Sequence, residues 1–357
     1  MKKLFTLALI SFISSLTTLQ ATVRTVTNDG SGGSQYSSLL AAYNAASNGD
    51  TLLLEGTNVQ YNNYAGTVPT SAWNKSLTVI GIGFNPQKDH PRKSRIGNNA
   101  HTSYLSAGFY IGASGSGSRF YGIEFAVNVY SYGTLTNVLF EDCDFNGFYN
   151  FDGYSASGIA FVNCIFDADN SSNVQVGSTG NSLTNVQFIS CLFDGQVNGA
   201  SNTIGGMLFD HCLFLSTSAP FTGLYNALIK NSIFMNATPS ASNSSWINNI
   251  STQSTVFHTG NGNSGSGNLY STDPVFVNYT AGSLYNNNHD YNLQAGSPAL
   301  GAANDATDIG IHGGYSKFHE SGEVLITPII RSMTINQSNA APGGTINVNI
   351  HASKPND

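Results

Sequence analysis

The 357-residue chain carries little charge of either sign: Lys and Arg number 13, Asp and Glu 20, together 9% of its residues. A nucleic-acid binder needs a basic face, and a net charge of −7 with so few cations excludes that class. The same shortage argues against a strongly anionic polysaccharide as ligand, unless basic residues are gathered in one place. Long apolar runs are lacking too. The stretch from Leu4 to about Leu16 follows Met1-Lys2-Lys3 and falls short of the roughly 20 apolar residues that span a bilayer. A basic start, an apolar stretch and small residues ending at Ala21 describe a secretory leader. Residues 1–21 are therefore expected to be removed on export, leaving a secreted chain with no membrane span. Cysteine is limited to four residues with no CxxC pair, which argues against redox catalysis. The polar surface must come from Asn, Ser, Thr and Gly, and 38 glycines without a collagen period fit a chain that turns often.

What is present is a repeat. FYGIEF (120–125), FEDCDF (140–145), FVNCIF (161–166), FISCLF (188–193), FDHCLF (209–214) and IKNSIF (229–234) share one register, and their last residues are 20, 21, 27, 21 and 20 positions apart. Self-similarity at that period marks a solenoid, whose repeats bury their apolar side only by stacking on one another. In FVNCIF, Phe161, Cys164 and Phe166 all face inward if the chain bends at Asn163. The equivalent residues Gly122, Asp142, Ser190, His211 and Asn231 are types that tolerate left-handed or turn geometry. Each repeat thus reads as two short strands meeting at a corner, with a third strand and longer turns completing the coil, and successive coils pair in parallel. An antiparallel meander would not keep Phe, Cys and corner residues in one register. The fold class is all-β, a parallel β-helix. Cys143, Cys164, Cys191 and Cys212 stack in one column about 4.8 Å apart. That spacing admits a disulfide, but side chains pointing the same way strain one, so the reading favours buried thiols.

An earlier coil is read from SLTVIGIGF, with Val79, Ile82 and Phe84 inward and Gly81 at the corner, and one further coil around GFYIG (108–112). Residues 37–46 form the best helix, presenting Leu39, Leu40 and Tyr43 on one face, and 51–54 a strand; together they cap the open N-terminal end. Beyond 315, a strand-like run over 324–335, a turn at 341–344 and alternating Ile346, Val348 and Ile350 predict two strands. The chain divides into a leader (1–21), an N-terminal cap (22–55), a β-helix (56–315) and a C-terminal strand segment (316–357).

The cap phrase SSLLAAYNAASNGDTLLLEG, the repeated coil signature and the closing SPALGAANDATDIG resemble secreted bacterial right-handed parallel β-helix proteins of the pectate-lyase-like superfamily, over about residues 22–315. That resemblance implies the fold. It also implies a choice of activities, since the superfamily includes uronate lyases with a Lys or Arg base and Ca²⁺, hydrolases with Asp clusters, and adhesins. Neither catalytic set is complete in this chain.

Several residue groups remain as candidates. Glu141, Val162, Ile189, Asp210 and Lys230 occupy matching outward positions, so Asp210 and Lys230 lie on adjacent coils, with His211 beside them; they form an acid–base candidate or a surface ion pair. Asn146, Asp167 and Asp194 form a column that, with Asp169 and Asn170, offers oxygens of the kind Ca²⁺ accepts; no other cofactor is expected. Lys88, Arg92, Lys93 and Arg95 form a basic patch suited to an anionic glycan, or a solvated loop. Tyr149, Phe151 and Tyr154, with Phe148 and an early pair Tyr61 and Tyr64, either stack on sugar rings or cover a core edge. Ile165, Leu192, Leu213 and Ile233 make an outward apolar stripe that needs a covering loop or a partner. The expected partner is an extracellular polysaccharide or surface glycan, bound by an adhesive module or, alternatively, cleaved by a lyase or hydrolase.

Overall fold

The structure, a computed structural model, describes residues 21–30, 33–62, 72–84, 92–97, 108–151, 154–167, 172–176, 182–199, 206–322, 329–335 and 348–353. The leader, Tyr64, Lys88, Asp169, Asn170 and the turn at 341–344 lie outside them. Among the described residues no helix is long and apolar enough to cross a membrane.

The corner residues set the architecture. Gly122, Asp142, Asn163, Ser190, His211 and Asn231 have φ of 62°, 53°, 53°, 50°, 54° and 52°, the left-handed region that Gly, Asn and Asp enter most readily. Each corner turns one strand into the next: Leu139–Glu141 leads through Asp142 into Asp144–Phe145, and Ala160–Val162 through Asn163 into Ile165–Phe166. Strands before the corner join an eleven-stranded sheet, those after it a nine-stranded sheet, and a third strand of each coil a six-stranded sheet. Pairing within all three is parallel, and the chain is a right-handed parallel β-helix.

Two files of aromatic rings fill the interior. Phe125, Phe145, Phe166, Phe193, Phe214 and Phe234 are fully buried and stack at 4.7–5.2 Å between centroids. Phe120, Phe140, Phe161, Phe188 and Phe209 stack beside them at 4.9–5.1 Å. Those spacings match the separation of neighbouring strands, about 4.8 Å. The four cysteines are buried and free, and Cys164 Sγ donates to the Phe140 carbonyl of the preceding coil. Burial pushes all four thiols up, so they stay protonated and inert.

Four details differ from the sequence reading. Val79 pairs with Phe120 directly, so no coil intervenes; Phe109–Gly112 is the third strand of that same coil and pairs with Val129–Tyr132. Ile96, not Phe84, opposes Phe125. Phe84 instead lies outside the coil against Gly322, and the positive φ falls on Gly83, not Gly81. In the helix Leu39–Ala45, capped by Ser38 Oγ accepting from Ala41 N–H at 3.2 Å, Leu39, Ala42 and Tyr43 are buried while Leu40 is exposed.

The coils run to the strand Ser264–Ser266. The following chain, which the sequence reading keeps within the β-helix up to 315, folds back along the outside as a strap. Its residues meet successive corners: Ala302 carbonyl accepts from Asn248, Asn304 from Asn231, Thr307 bonds His211, and Ser316 bonds both Ser190 and Asn163. Ser321 carbonyl finally accepts from Phe84 N–H near the first coils. Phe276, Tyr291, Ile309, Ile311 and Phe318 of the strap bury Ile165, Leu192, Leu213, Ile233 and Ile250. The apolar stripe is therefore covered by the chain's own loop. Beyond the strap, Ile329–Ile335 and Val348–Ser353 pair antiparallel.

Candidate functional site

The outer surface of the six-stranded sheet carries a row of aromatic rings. In Phe109–Gly112 and Val129–Tyr132 strand alternation sends Phe109, Ile111, Val129 and Ser131 inward and Tyr110, Tyr130 and Tyr132 outward. Tyr110 and Tyr130 are register partners and stack at 4.7 Å with 9° between planes. Phe148 meets Tyr130 edge-on at 5.6 Å, and Tyr154 packs on Tyr132 at 5.7 Å. All five rings are half-buried. The backbone shapes the seat: a Cβ on Gly108 would lie 2.3 Å from the Tyr130 ring, so only glycine lets that ring lie flat on the preceding strand. Asn128 Nδ2 donates to Tyr130 Oη at 3.4 Å and so orients the ring from its polar end. Burial raises the Tyr110 hydroxyl above its ordinary range, which keeps it neutral.

Of the aromatics singled out in sequence, only Tyr154 and Phe148 belong to this row. Tyr149 and Phe151 are fully buried core residues, because they share the inward parity of Val129. Tyr149 hydroxyl pairs inside the coil with Ser131 at 3.2 Å. Tyr61 is likewise interior, donating to the Val26 carbonyl at 2.8 Å.

The three described cations of the basic patch are each ion-paired. Arg92 pairs with Asp29, while Lys93 and Arg95 both pair with Glu124, Arg95 at 2.7 Å. Glu124 is fully buried, accepts from Asn146 Nδ2 at 2.6 Å, and stands in register with Asp144 on the next coil. Burial, with the neighbouring charge of Glu124, pushes the Asp144 carboxyl well above the ordinary carboxylate range. This carboxylate pair was missed in sequence. The residue between Cys and Phe is apolar in the later coils, and Glu124 and Asp144 break that pattern.

Asp210 and Lys230 are register partners as expected, with Nζ to Oδ2 at 2.8 Å. They do not belong to an open solvent-facing column, however: Val162, Ile189 and Asp210 are buried. His211 is 2% exposed, with Nδ1 2.8 Å from Asp210 and Nε2 3.2 Å from Thr307 Oγ1 of the strap. Burial pushes the Asp210 carboxyl up, but hydrogen bonds from His211, Lys230 and Asn231 outweigh it and hold it below its usual range. The cluster ties the strap to the coil.

The backbone ladder places Asn146, Asp167 and Asp194 in one column, as expected. Asp194 is fully buried and accepts from Asn173 Nδ2 at 3.3 Å. Among the described residues no three His, Cys, Asp or Glu converge in a way that could hold a metal ion.

Several solved structures are similar to this chain, two lyases among them. A pectate lyase, Pel9A, matches with a TM-score of 0.48 at 14% identity, over 82% of this chain and 96% of its own. A rhamnogalacturonan lyase matches with a TM-score of 0.43 at 13% identity, over 77% of this chain and 97% of its own. No protein-family model matches the chain, and no curated protein does.

Proposed function

We propose that this chain is an exported β-helix that binds an extracellular polysaccharide or surface glycan on the outer face of its six-stranded sheet, without turning it over. One observation carries the reading: Tyr110, Tyr130, Tyr132, Phe148 and Tyr154 form a continuous half-exposed row on a rigid sheet. An aromatic face offers a flat apolar platform to the C–H side of a sugar ring, and tyrosine adds a polar tip for its hydroxyls. Rings held by strand pairing lose little conformational freedom on binding, which keeps the ordering penalty small. Removing the central ring tests the reading. In affinity electrophoresis against a polysaccharide panel, Tyr130→Ala is expected to weaken binding about tenfold or more, the equivalent of about 1.4 kcal/mol. Unchanged retardation by every glycan that binds the parent chain contradicts it.

A second reading, glycan cleavage, draws on the Glu124–Asp144 pair: one carboxylate ion-paired with Lys93 and Arg95, the other pushed up by burial. A buried carboxyl beside an ion-paired carboxylate suits acid–base work. Release of reducing or unsaturated ends from the same panel, lost in Asp144→Asn, would replace the first reading with this one.

A further inference from the structure

The outward column that begins at the two stacked tyrosines does not end with them. Tyr110 is in register with Tyr130, Tyr130 with Asn150, Asn150 with Gln175, Gln175 with Asn198 and Asn198 with Thr222. The sheet therefore lines up two aromatic rings, three amides and a hydroxyl in a single file along the axis of the coils, of which Asn150 is buried, Gln175 and Asn198 are half-buried and Thr222 is exposed. At the spacing of parallel strands the file is about 24 Å long. The polar members are pre-ordered by one another: Asn150 Nδ2 donates to Gln175 Oε1 at 3.3 Å, and Thr222 Oγ1 donates to Asn198 Oδ1. Amide side chains both donate and accept, as sugar hydroxyls do.

No charged residue belongs to this file, and positive charge is missing from the chain around it. From residue 120 to residue 229 there is no Lys or Arg, against nine Asp and Glu. A polyuronate laid here would meet no counter-charge to offset the desolvation of its carboxylates. The described cations near these coils lie elsewhere: Arg119 and Lys230 on the eleven-stranded sheet, and Lys93 and Arg95 closed on Glu124.

From these observations we infer that the ligand is a neutral polysaccharide lying along the axis of the coils, one part stacked on Tyr110 and Tyr130 and the rest hydrogen-bonded over Gln175, Asn198 and Thr222, with buried Asn150 orienting Gln175 from beneath. The inference rests on the aromatic face being the glycan site, and adds the ligand's charge class and direction. A chain crossing the sheet at right angles would touch one rung, and its affinity would not grow with length.

Isothermal titration of the full chain tests it, with cello-, xylo- and manno-oligosaccharides of increasing length as neutral probes and oligogalacturonates as anionic ones. At least one neutral series is expected to bind more tightly than the oligogalacturonates, with affinity rising with length until the file is spanned. Asn198→Ala is expected to weaken the longest oligosaccharides about two- to tenfold, the range of one hydrogen bond, and to leave the shortest unchanged. Tyr130→Ala weakens all of them. If Tyr130→Ala abolishes binding but oligogalacturonates bind best, or affinity is independent of length and of Asn198, the inference fails and the aromatic reading stands. If neither series binds, or Tyr130→Ala changes nothing, both fail together.

Discussion

Two long surfaces of the coil invite comparison. On the six-stranded sheet, the outward residues are tyrosines followed by amides, uncharged and, apart from buried Asn150, half-buried. Along the edge where the eleven- and nine-stranded sheets meet, the outward residues Ile165, Leu192, Leu213 and Ile233 lie under the strap, flanked by Asp210, Lys230 and the strap-bonded His211. Both are built by the same parallel pairing. They differ in what completes them. Aliphatic side chains with no polar tip gain by leaving water, roughly 25 cal/mol per Å², and the chain's own strap removes them from it. Tyrosine rings with a hydroxyl at the rim are tolerated in water and gain most from a ligand that is itself part polar. Burial alone thus separates surface that is interior in disguise from surface kept for a partner.

Substitutions can break this comparison, and the largest effect belongs to the interior both surfaces share. Phe166→Ala empties a site stacked between Phe145 and Phe193 and is expected to destabilise by about 3–5 kcal/mol in chemical denaturation. Leu213→Ala beneath the strap follows at about 2–5 kcal/mol, whereas Tyr130→Ala is expected to stay within about 0.5 kcal/mol of the parent. A Leu213→Ala effect as small as that of Tyr130→Ala would mean that the strap is not a true cover.

The corners come next. Asn163 holds φ 53° and donates to Ser316 Oγ of the strap at 3.1 Å. Asn163→Ala keeps a left-handed Cβ, which costs about 1–2 kcal/mol, without the polar side chain that lets asparagine offset it, and loses the bond as well. Asn163→Gly loses the bond alone and should fall less in the same melt; equal losses would deny the backbone strain.

The smallest effects are pH-dependent and opposite in sign. Asp144 titrates higher in the fold than its ordinary value near 3.9, so stability is lost as pH rises from that value toward the folded one and stays lost at neutrality. Asp144→Asn should therefore raise the Tm at pH 7, with the gain vanishing below about pH 3. Asp210 titrates lower in the fold, so its stabilisation is present above the ordinary carboxylate value and disappears as pH falls through the folded one. Asp210→Asn should lower the Tm at pH 7 and not in strong acid. Shifts of the same sign for both variants would contradict this assignment of the two carboxyls.

The coil was legible because its determinants are local and recur. Phe, Cys and the corner residue fall within one six-residue phrase, and strand parity with a left-handed hinge follows from residue type. The strap was not, because it is held by pairs such as Asn163 with Ser316, 153 positions apart, that leave no periodic trace. The aromatic face was half legible. Phe148, Tyr149, Phe151 and Tyr154 drew attention as a cluster, but the side each faces depends on the bend at 146–147. A signal was available: the residue four places after the file Phe is Val129, Tyr149 or Val197 in three coils, and all three are buried. The residue five places after it is then outward, which selects Tyr130, Asn150 and Asn198. Glu124 and Asp144 escaped notice for the converse reason, occupying a position read only through its apolar members.

The most direct test of the account is glycan titration of Tyr130→Ala and Asp210→Asn side by side, one variant for each surface. Binding lost in Tyr130→Ala and retained in Asp210→Asn, with both chains folded by circular dichroism, is the predicted result. Binding retained in Tyr130→Ala and lost in Asp210→Asn would move the site beneath the strap and contradict the account.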